Sequence, residues 1–255
     1  MENQLNFEFT IEKSDITGIA ADSFKCTGSR PYQEDNCGFS LQNKKKAFCA
    51  VLSDGMGGLS NGDKVSGYTV SSFIEQMSSI RGDIPSELVR IINEINSEIV
   101  SRQYGGGATA LAVYCCQKGV YFCSTGDSRL YLFRKGILTQ LTEDFDVMNR
   151  ELVFVINGEK TYDEAYSNPE RDNLVEFIGA NKQLSPDANV KPFVPLKGDK
   201  LLMCSDGVYN SLSEEDIIYC LGADATAAVL GLESAINEKA LPNQDNGSAI
   251  VIEFR

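Results

Sequence analysis

Closely spaced strand signals constrain the fold of this chain more than any other feature. The densest group of strand-like runs lies, in order, at residues 108–115, 120–125 and 129–133. Only short turn-like breaks, Gln117-Lys118-Gly119 and Gly126-Asp127-Ser128, separate these runs. Further strands are predicted at 47–53, 200–205 and 248–254. Closely spaced strands with helices before and after them indicate antiparallel sheets covered by helices, which is an α+β fold rather than a doubly wound α/β fold.

Helix signals flank the strands. Pro85-Ser86 opens a segment in which apolar residues recur on one helical face, namely Leu88, Ile91, Ile92, Ile95 and Ile99. Another helix is predicted to begin at Ser213, an alanine-rich one at 223–240, and one with a weaker pattern between Ser60 and Ile74. No repeat or linker divides the chain, so residues 1–255 are interpreted as a single domain.

The acidic composition argues against two classes of partner. The 255 residues carry a formal net charge of −13, whereas nucleic acids and anionic membranes are bound through clustered lysine and arginine. The first residues show no signal-peptide pattern, and no apolar run approaches membrane-spanning length. The eight cysteines form no C-x-x-C pair and lie mostly inside apolar runs. A cytoplasmic protein that binds neither nucleic acid nor membrane is predicted.

The sequence contains no histidine. This excludes Ser-His-Asp and Cys-His catalysis, histidine zinc sites and imidazole acid–base chemistry. Any catalysis must use carboxylates, metal ions, thiols, lysines or arginines.

Two strand-like runs end in the same tripeptide, Ser53-Asp54-Gly55 and Ser205-Asp206-Gly207. A carboxylate at the end of a buried strand lies at the rim of a sheet, and the glycine lets the backbone turn sharply beside it. Asp-Gly is also a common hairpin turn, and for a single copy that interpretation would be preferred. Here neither copy is followed by an alternating strand.

Other acidic residues occupy similar positions. Glu34-Asp35 follows a glycine-containing turn, Asp127 lies in a turn between two strands, and Asp245 precedes the last strand. Each alone is more typical of a turn residue or a helix cap than of a ligand. Together, several carboxylates at strand ends in a chain without histidine would suit magnesium or manganese better than zinc.

The ordered motifs resemble those of the type 2C, metal-dependent serine/threonine phosphatases of bacterial type. The matching motifs are Gly28-Ser29-Arg30-x-x-Gln33-Glu34-Asp35, Asp54-Gly55-Met56-Gly57-Gly58, Gly107-Ala108-Thr109-Ala110, Gly126-Asp127-Ser128-Arg129, Gly198-Asp199, Ser205-Asp206-Gly207 and Asp245-Asn246. Their number and order make coincidence a poor explanation. The resemblance implies a sandwich of two antiparallel sheets flanked by helices on both outer faces, with a two-metal centre at one end.

The resemblance also implies roles for individual residues at a centre that holds Mn²⁺ or Mg²⁺. Asp54 would bridge two ions and the Gly55 carbonyl would bind one of them, while Asp206 and Asp245 would hold the other. Glu34 and Asp35 would act mostly through metal-bound water, as the resemblance implies. A hydroxide bridging the two ions would attack the phosphate directly, without a phosphoenzyme.

Two further roles follow from the same resemblance. Arg30 would bind the substrate phosphate, for which the paired N–H donors of its guanidinium are suited. Asp127 and Asp206 would form a weaker third metal site. The substrates implied are phosphoserine and phosphothreonine in proteins that a serine/threonine kinase modifies.

The chain departs from the family pattern at two positions. Met56 stands where animal members have a histidine after Asp-Gly, and Phe145 follows Thr142-Glu143-Asp144 where a histidine is usual. A metal-bound water is therefore the best candidate for the general acid. Residues 145–176 match the interval that carries a flap beside the metal centre in relatives, and this segment is predicted to be a mobile surface element that contacts the protein part of the substrate.

Two alternatives remain at the sequence level. Residues Cys123 to Arg129 fit the C-x-x-G-x-x-R phosphate loop of cysteine-dependent phosphatases. That loop requires a helix directly after it, whereas a strand is predicted here. The second alternative is a catalytically inactive binding module on the same fold, which the loss of a metal aspartate would favour; none of the matching aspartates is lost.

Overall fold

The structure is a computed structural model. It describes residues 5–7, 11, 17–42, 46–56 and 61–255. The two glycines that complete the Asp54 motif, Gly57 and Gly58, lie outside the described residues.

Eleven strands in the described part of the chain form two sheets. In chain order they are β1 (Leu5–Phe7), β2 (Ile19–Cys26), β3 (Asn36–Gln42), β4 (Ala47–Ser53), β5 (Ala110–Cys116), β6 (Gly119–Thr125), β7 (Arg129–Arg134), β8 (Ile137–Gln140), β9 (Asp187–Ala188), β10 (Lys200–Cys204) and β11 (Gly247–Phe254). The first sheet has the order β1-β2-β11-β10-β7-β8 and the second has the order β3-β4-β5-β6-β9. Every strand pair is antiparallel.

Helices cover the outer face of each sheet. The helices of the described residues are α1 (Gly62–Met77), α2 (Ile84–Ser101), α3 (Val147–Ile156), α4 (Tyr162–Tyr166), α5 (Asp206–Tyr209), α6 (Glu214–Leu221) and α7 (Ala225–Lys239). Asp83 caps α2 by accepting a hydrogen bond from the Ser86 backbone amide. The predicted apolar stripe of α2 is buried in full. None of the helices in the described ranges is long and apolar enough to cross a bilayer.

The core has three apolar layers. Between the sheets, Phe48 and Leu52 of β4 pack in one cluster with Met203 and Ile252 of the opposite sheet. On the other face of β4, Cys49 and Val51 join the cluster that buries α1 and α2. A third cluster joins the first sheet to α6 and α7. Because both faces of β4 are covered, its sequence is a continuous apolar run rather than an alternating one. The predicted sandwich flanked by helices on both outer faces is confirmed.

The structure adds elements that the sequence did not predict. Strands β2 and β3 were not predicted. The flap interval, predicted to be a mobile surface element, contains the helices α3 and α4. Asp146 begins α3 by accepting a hydrogen bond from the Asn149 amide, and Thr161 forms a reciprocal capping box with Glu164 at the start of α4.

Candidate active site

The carboxylates predicted to form the site lie together at one end of the sandwich. Asp54 follows the last residue of β4, and Asp206 begins α5 directly beyond β10, which belongs to the opposite sheet. The Asp54 carboxyl interacts electrostatically with those of Asp35, Asp206 and Asp127. The Arg30 guanidinium interacts with the carboxylates of Asp245, Glu34 and Asp206. The fold therefore brings together residues that lie up to about 200 positions apart in the sequence.

Thr109 fixes the backbone that carries Asp54. Its hydroxyl accepts a hydrogen bond of 2.8 Å from the Asp54 amide, and its own amide donates one of 2.8 Å to the Asp54 carbonyl. The Ser53 hydroxyl donates to the Thr109 carbonyl at 2.5 Å, and the Thr109 and Ser128 hydroxyls lie 2.7 Å apart. The hydroxyls of Ser53, Thr109 and Ser128 therefore hold the backbone in place at Asp54.

Asp35 is a buried carboxylate with only one oxygen in a hydrogen bond. The side chain is 1% exposed, and its Oδ2 accepts a hydrogen bond of 2.8 Å from the Ser205 hydroxyl. Ser205 in turn accepts one from the Ser248 amide at 2.9 Å. Asp35 Oδ1 is buried without a hydrogen-bond partner among the described residues. Such an oxygen is costly to bury unless another group contacts it.

Asn246 holds the loop that carries Arg30 and Glu34. Its side-chain oxygen accepts a hydrogen bond of 2.7 Å from the Glu34 amide, and its side-chain nitrogen donates to the carbonyls of Thr27 and Tyr32 at 2.8 and 3.0 Å. The pKa of Glu34 is raised by partial burial and next by Asp63, an acidic residue in the first turn of α1 that the sequence reasoning missed.

The glycines of the two Asp-Gly motifs leave space for neighbouring backbone atoms. A side chain at Gly55 would place its Cβ 2.5 Å from the Glu34 carbonyl oxygen, and one at Gly207 would meet the Asn246 carbonyl oxygen at 1.9 Å. Neither glycine has a positive φ. The close approach of two loops is therefore a physical reason for glycine at both positions, one that the sequence pattern did not indicate.

Burial and mutual repulsion raise the pKa values of the central carboxyls. Burial is the largest cause in each case. It raises the pKa of Asp54 well above the ordinary value, helped by the neighbouring Asp35, Asp206 and Asp127. It raises the pKa of Asp206 to about 6, helped by Asp245 and Asp35, and that of Asp127 to about 7, helped by Asp206. The site concentrates negative charge that a cation would neutralise.

The donor set fits hard divalent cations. It consists of carboxylate and carbonyl oxygens, the ligands that magnesium and manganese prefer. Among the described residues, no three acidic or cysteine side chains already meet the geometry of a formed metal site. The fit therefore rests on the chemistry of the donors and on the buried, unpartnered Oδ1 of Asp35.

Arg30 is the cation at the open side of the site. Its guanidinium donates a hydrogen bond of 2.6 Å to Asp245 Oδ2, and both side chains are partly exposed. The Asp245 hydrogen bond is the largest cause of the raised pKa of Arg30, so the guanidinium keeps its charge. This position suits an arginine that meets an incoming anion from solvent.

The structure rules out the cysteine-dependent mechanism. Cys123 lies inside strand β6, is fully buried, and has its thiol pKa raised by that burial, whereas a nucleophilic cysteine needs a lowered pKa. Arg129, the phosphate-binding arginine of that alternative, is instead paired with both oxygens of Asp144. The C-x-x-G-x-x-R match is therefore accidental.

Comparison with known sequences identifies the chain. The sequence pattern of the protein phosphatase 2C family matches residues 28–239. The chain belongs to this family. It is 28% identical over 235 residues to the serine/threonine phosphatase stp of Listeria innocua serovar 6a, covering 88% of this chain and 91% of that protein. The stp of Listeria welshimeri serovar 6b is 31% identical over 203 residues, or 74% and 78% of the two chains.

Solved structures agree with this assignment. The serine/threonine phosphatase of S. agalactiae superimposes with a TM-score of 0.80 at 25% identity, covering 93% of this chain and all of that one. The catalytic domain of the phosphatase PstP, solved in complex with two manganese ions, has the same fold, with a TM-score of 0.73 at 23% identity over 92% of this chain and 97% of that one. This protein phosphatase 2C chain is accordingly a metal-dependent serine/threonine protein phosphatase.

Proposed function

We propose that the buried carboxylates of this chain hold two divalent cations for phosphate hydrolysis. Asp54 would contact both ions, with the Gly55 carbonyl on one and Asp206 and Asp245 on the other. The observation that carries this proposal is the crowding of Asp54 among other buried carboxyls, which raises its pKa well above the ordinary value and which bound cations would relieve with the carboxyls ionised. When bound, the cations would activate a water for direct attack and neutralise the phosphate.

Glu34 and Asp35 would support this centre from one side. Asp35 presents an unpartnered oxygen, and Asn246 fixes the Glu34 backbone, so both carboxylates are held for contact with water around the ions. On the open side, Arg30 would bind two oxygens of the phosphate group through its fork of donors. Asp127, together with Asp206, would bind a weaker third ion. Mutual repulsion between these two carboxyls supports that pairing.

Manganese or magnesium is the proposed metal. The oxygen-only donor set and the sequence without histidine support a hard cation over zinc. The two manganese ions bound by the similarly folded PstP catalytic domain agree with this choice.

The proposed substrates are proteins that carry phosphoserine or phosphothreonine from a serine/threonine kinase. The names of the Listeria relatives support this class. The net charge of −13 argues against partners that are nucleic acids or anionic membranes. The eight cysteines all lie in the described residues and none of them forms a disulfide, which supports a reducing, cytoplasmic location.

Residues 145–176 are proposed to be a flap that contacts the protein part of the substrate and none of the metals. The flap begins beside the site, since the Phe145 amide donates a hydrogen bond of 3.0 Å to the Gly126 carbonyl, next to Asp127. Its two short helices give it more internal order than the sequence predicted. The Lys160 ammonium pairs with the buried Glu151 carboxylate and so joins the segment before α4 to α3.

Metal-dependent hydrolysis is the direct test of the proposed function. A phosphothreonine peptide and p-nitrophenyl phosphate should both be hydrolysed with Mn²⁺, lose hydrolysis in excess EDTA, and regain it when Mn²⁺ or Mg²⁺ is restored. Full activity in excess chelator would overturn the two-cation proposal.

A further inference from the structure

An open groove lies between the flap helices and the strand edge that leads to the active site. Its volume is about 690 Å³. One wall is formed by the segment between β8 and α3, with Glu143, Asp144 and Asp146. The apolar wall is contributed by α3 and α4, with Val153, Ile156 and Tyr162. The groove thus has an acidic side and an apolar side.

The apolar wall exposes three large hydrophobic side chains to solvent. Ile156 is 84% exposed, Tyr162 56% and Val153 55%. Of the ten residues of α3, only Val147 and Glu151 are buried. An exposed apolar surface rimmed by polar groups is typical of a place where another molecule binds.

The acidic wall carries more negative than positive charge. Four carboxylates and two arginines line the groove, which leaves it with a net charge of −2. Both arginines are already engaged, Arg129 with Asp144 and Arg171 with Asp172. Glu143 and Asp146 form no ion pair among the described residues.

The groove opens directly beside the catalytic end of the sandwich. Asp144 and Asp146 lie close enough to Asp127 to contribute to its raised pKa, after burial and Asp206. Arg129, which lines the groove, also stacks over the ring of Tyr209 in α5, the helix that begins at Asp206, with 3.6 Å from its guanidinium carbon to the ring centre. A chain that places its phosphate at the metal centre can therefore continue into the groove.

We infer that this groove binds the substrate segment next to the phosphorylated residue and selects a basic side chain followed or preceded by an apolar one. A lysine or arginine would pair with Glu143 and Asp146, and an apolar side chain would cover Val153 and Ile156. This inference rests on the proposed function and specifies the substrate class of the same site. Charge complementarity argues for a basic segment, because an acidic one would be repelled by the groove and by the net charge of −13.

Matched phosphothreonine peptides test the inference. Three peptides of one length would differ only in flanking residues, which are arginine, glutamine or glutamate, and each would be assayed with Mn²⁺. We expect kcat/KM for the arginine peptide to exceed that for the glutamine peptide by about 10-fold, mainly through KM, and the glutamate peptide to be poorest. The preference should shrink as salt increases.

Two double variants distinguish the effect of the groove carboxylates from the effect of the overall flap charge. Glu143→Gln with Asp146→Asn should reduce the preference to about 3-fold or less; asparagine retains the capping oxygen of α3. Glu159→Gln with Glu170→Gln removes the same charge from exposed flap positions that do not line the groove, and it should leave the preference intact. Ile156→Ser should raise KM for every peptide several-fold and leave the charge preference unchanged.

Each contrary outcome has a distinct meaning. Equal kcat/KM for the three peptides, or a preference that both double variants change alike, overturns the groove inference while metal-dependent hydrolysis still stands. If no phosphopeptide and no p-nitrophenyl phosphate is hydrolysed with Mn²⁺, the proposed function fails and the groove inference fails with it. A dimer that Ile156→Ser converts to a monomer with unchanged KM would show that a second copy of the chain covers the apolar wall, which also overturns the inference.

Discussion

The side-chain oxygen of Asn246 accepts a hydrogen bond of 2.7 Å from the backbone amide of Glu34, 212 positions earlier in the chain. The side-chain nitrogen of Asn246 donates two further hydrogen bonds, to the carbonyls of Thr27 and Tyr32 in the loop that also carries Arg30. Asn246 is 4% exposed, so this single buried side chain holds the loop of Arg30 and Glu34 against the residue that follows Asp245.

The first prediction is that Asn246→Asp destabilises the protein and weakens catalysis. Aspartate keeps the acceptor but loses both donors, so the Thr27 and Tyr32 carbonyls each lose a hydrogen bond and face a new charge. We expect the free energy of unfolding to fall by about 2–4 kcal/mol and kcat/KM to fall as well. Urea denaturation and steady-state kinetics measure the two effects. The exposed Asn181 provides the matched control, since Asn181→Asp should change stability by less than about 0.5 kcal/mol.

The second prediction separates the carboxylate centre from the buried thiol. Asp206→Asn removes a charge proposed to hold a cation and should lower kcat by at least ~10²-fold, about 3 kcal/mol of transition-state stabilisation. Cys123→Ser should keep most of the activity per folded molecule, because Cys123 is a core residue of β6. Steady-state assays on both variants with Mn²⁺ check this. The opposite ranking of the two variants would contradict the metal mechanism.

The third prediction concerns the pH dependence of stability in chelator. Burial raises the folded-state pKa of Asp206 to about 6 and that of Asp127 to about 7. Between pH 4 and 7 the folded state therefore holds more protons than the unfolded state, and the free energy of unfolding decreases as pH rises through this window. Thermal unfolding in EDTA should show a lower Tm at pH 7.5 than at pH 5.5.

A neutral variant gives the control for that pH effect. Asp127→Asn cannot ionise, so its Tm should depend less steeply on pH than that of the parent protein, whereas Asp163→Asn at an exposed flap position should keep the parental slope. Equal slopes for all three proteins would show that Asp127 is not the titrating group. Mn²⁺ should raise Tm more at pH 7.5 than at pH 5.5, because cations bind the ionised carboxylates.

The sequence predicts the elements whose burial leaves a regular pattern. The α2 stripe and the continuous apolar run of β4 are of this kind, and both are buried as expected. Strand β2 was missed because small residues such as Ala20 and Ala21 supply much of its buried surface, and alanine carries little strand signal. Helix α3 was missed because it exposes apolar side chains such as Ile156, so no single face marks it as a helix.

The sequence predicted the main carboxylates of the site but not the residues that hold them in position. The order of motifs identified the carboxylates of Glu34, Asp35, Asp54, Asp127, Asp206 and Asp245, but not Asp63, which also acts on Glu34. Thr109 hydrogen-bonds to Asp54, and Asn246 hydrogen-bonds to Glu34. Both contacts join segments that are distant in sequence, and no local pattern encodes them. The need for glycine at position 207 was not visible for the same reason, since the group that excludes a side chain there is the carbonyl of Asn246.

The fourth prediction assigns a positioning role to Tyr209. Its hydroxyl donates a hydrogen bond of 3.1 Å to the Asp127 carbonyl, and its ring lies under the Arg129 guanidinium that Asp144 holds. Tyr209→Leu removes both contacts and should free the Asp127 backbone. We expect the Mn²⁺ concentration for half-maximal activity to rise about 3- to 10-fold, since a stacked cation–ring contact contributes about 1–2 kcal/mol.

Graded variants decide whether Tyr209 acts through Asp127. Tyr209→Phe keeps the stacked ring and loses one hydrogen bond, about 1 kcal/mol, so its metal requirement should lie between those of the parent and the leucine variant. Asp127→Ala gives the largest effect expected from losing Asp127. It should slow turnover while calorimetry still detects two ions of ordinary affinity. If Tyr209→Leu lowers Tm without changing the Mn²⁺ requirement, the tyrosine only packs the core. If it lowers the Mn²⁺ requirement, the hydrogen bond restrains Asp127 in an unfavourable orientation, and the positioning role is wrong.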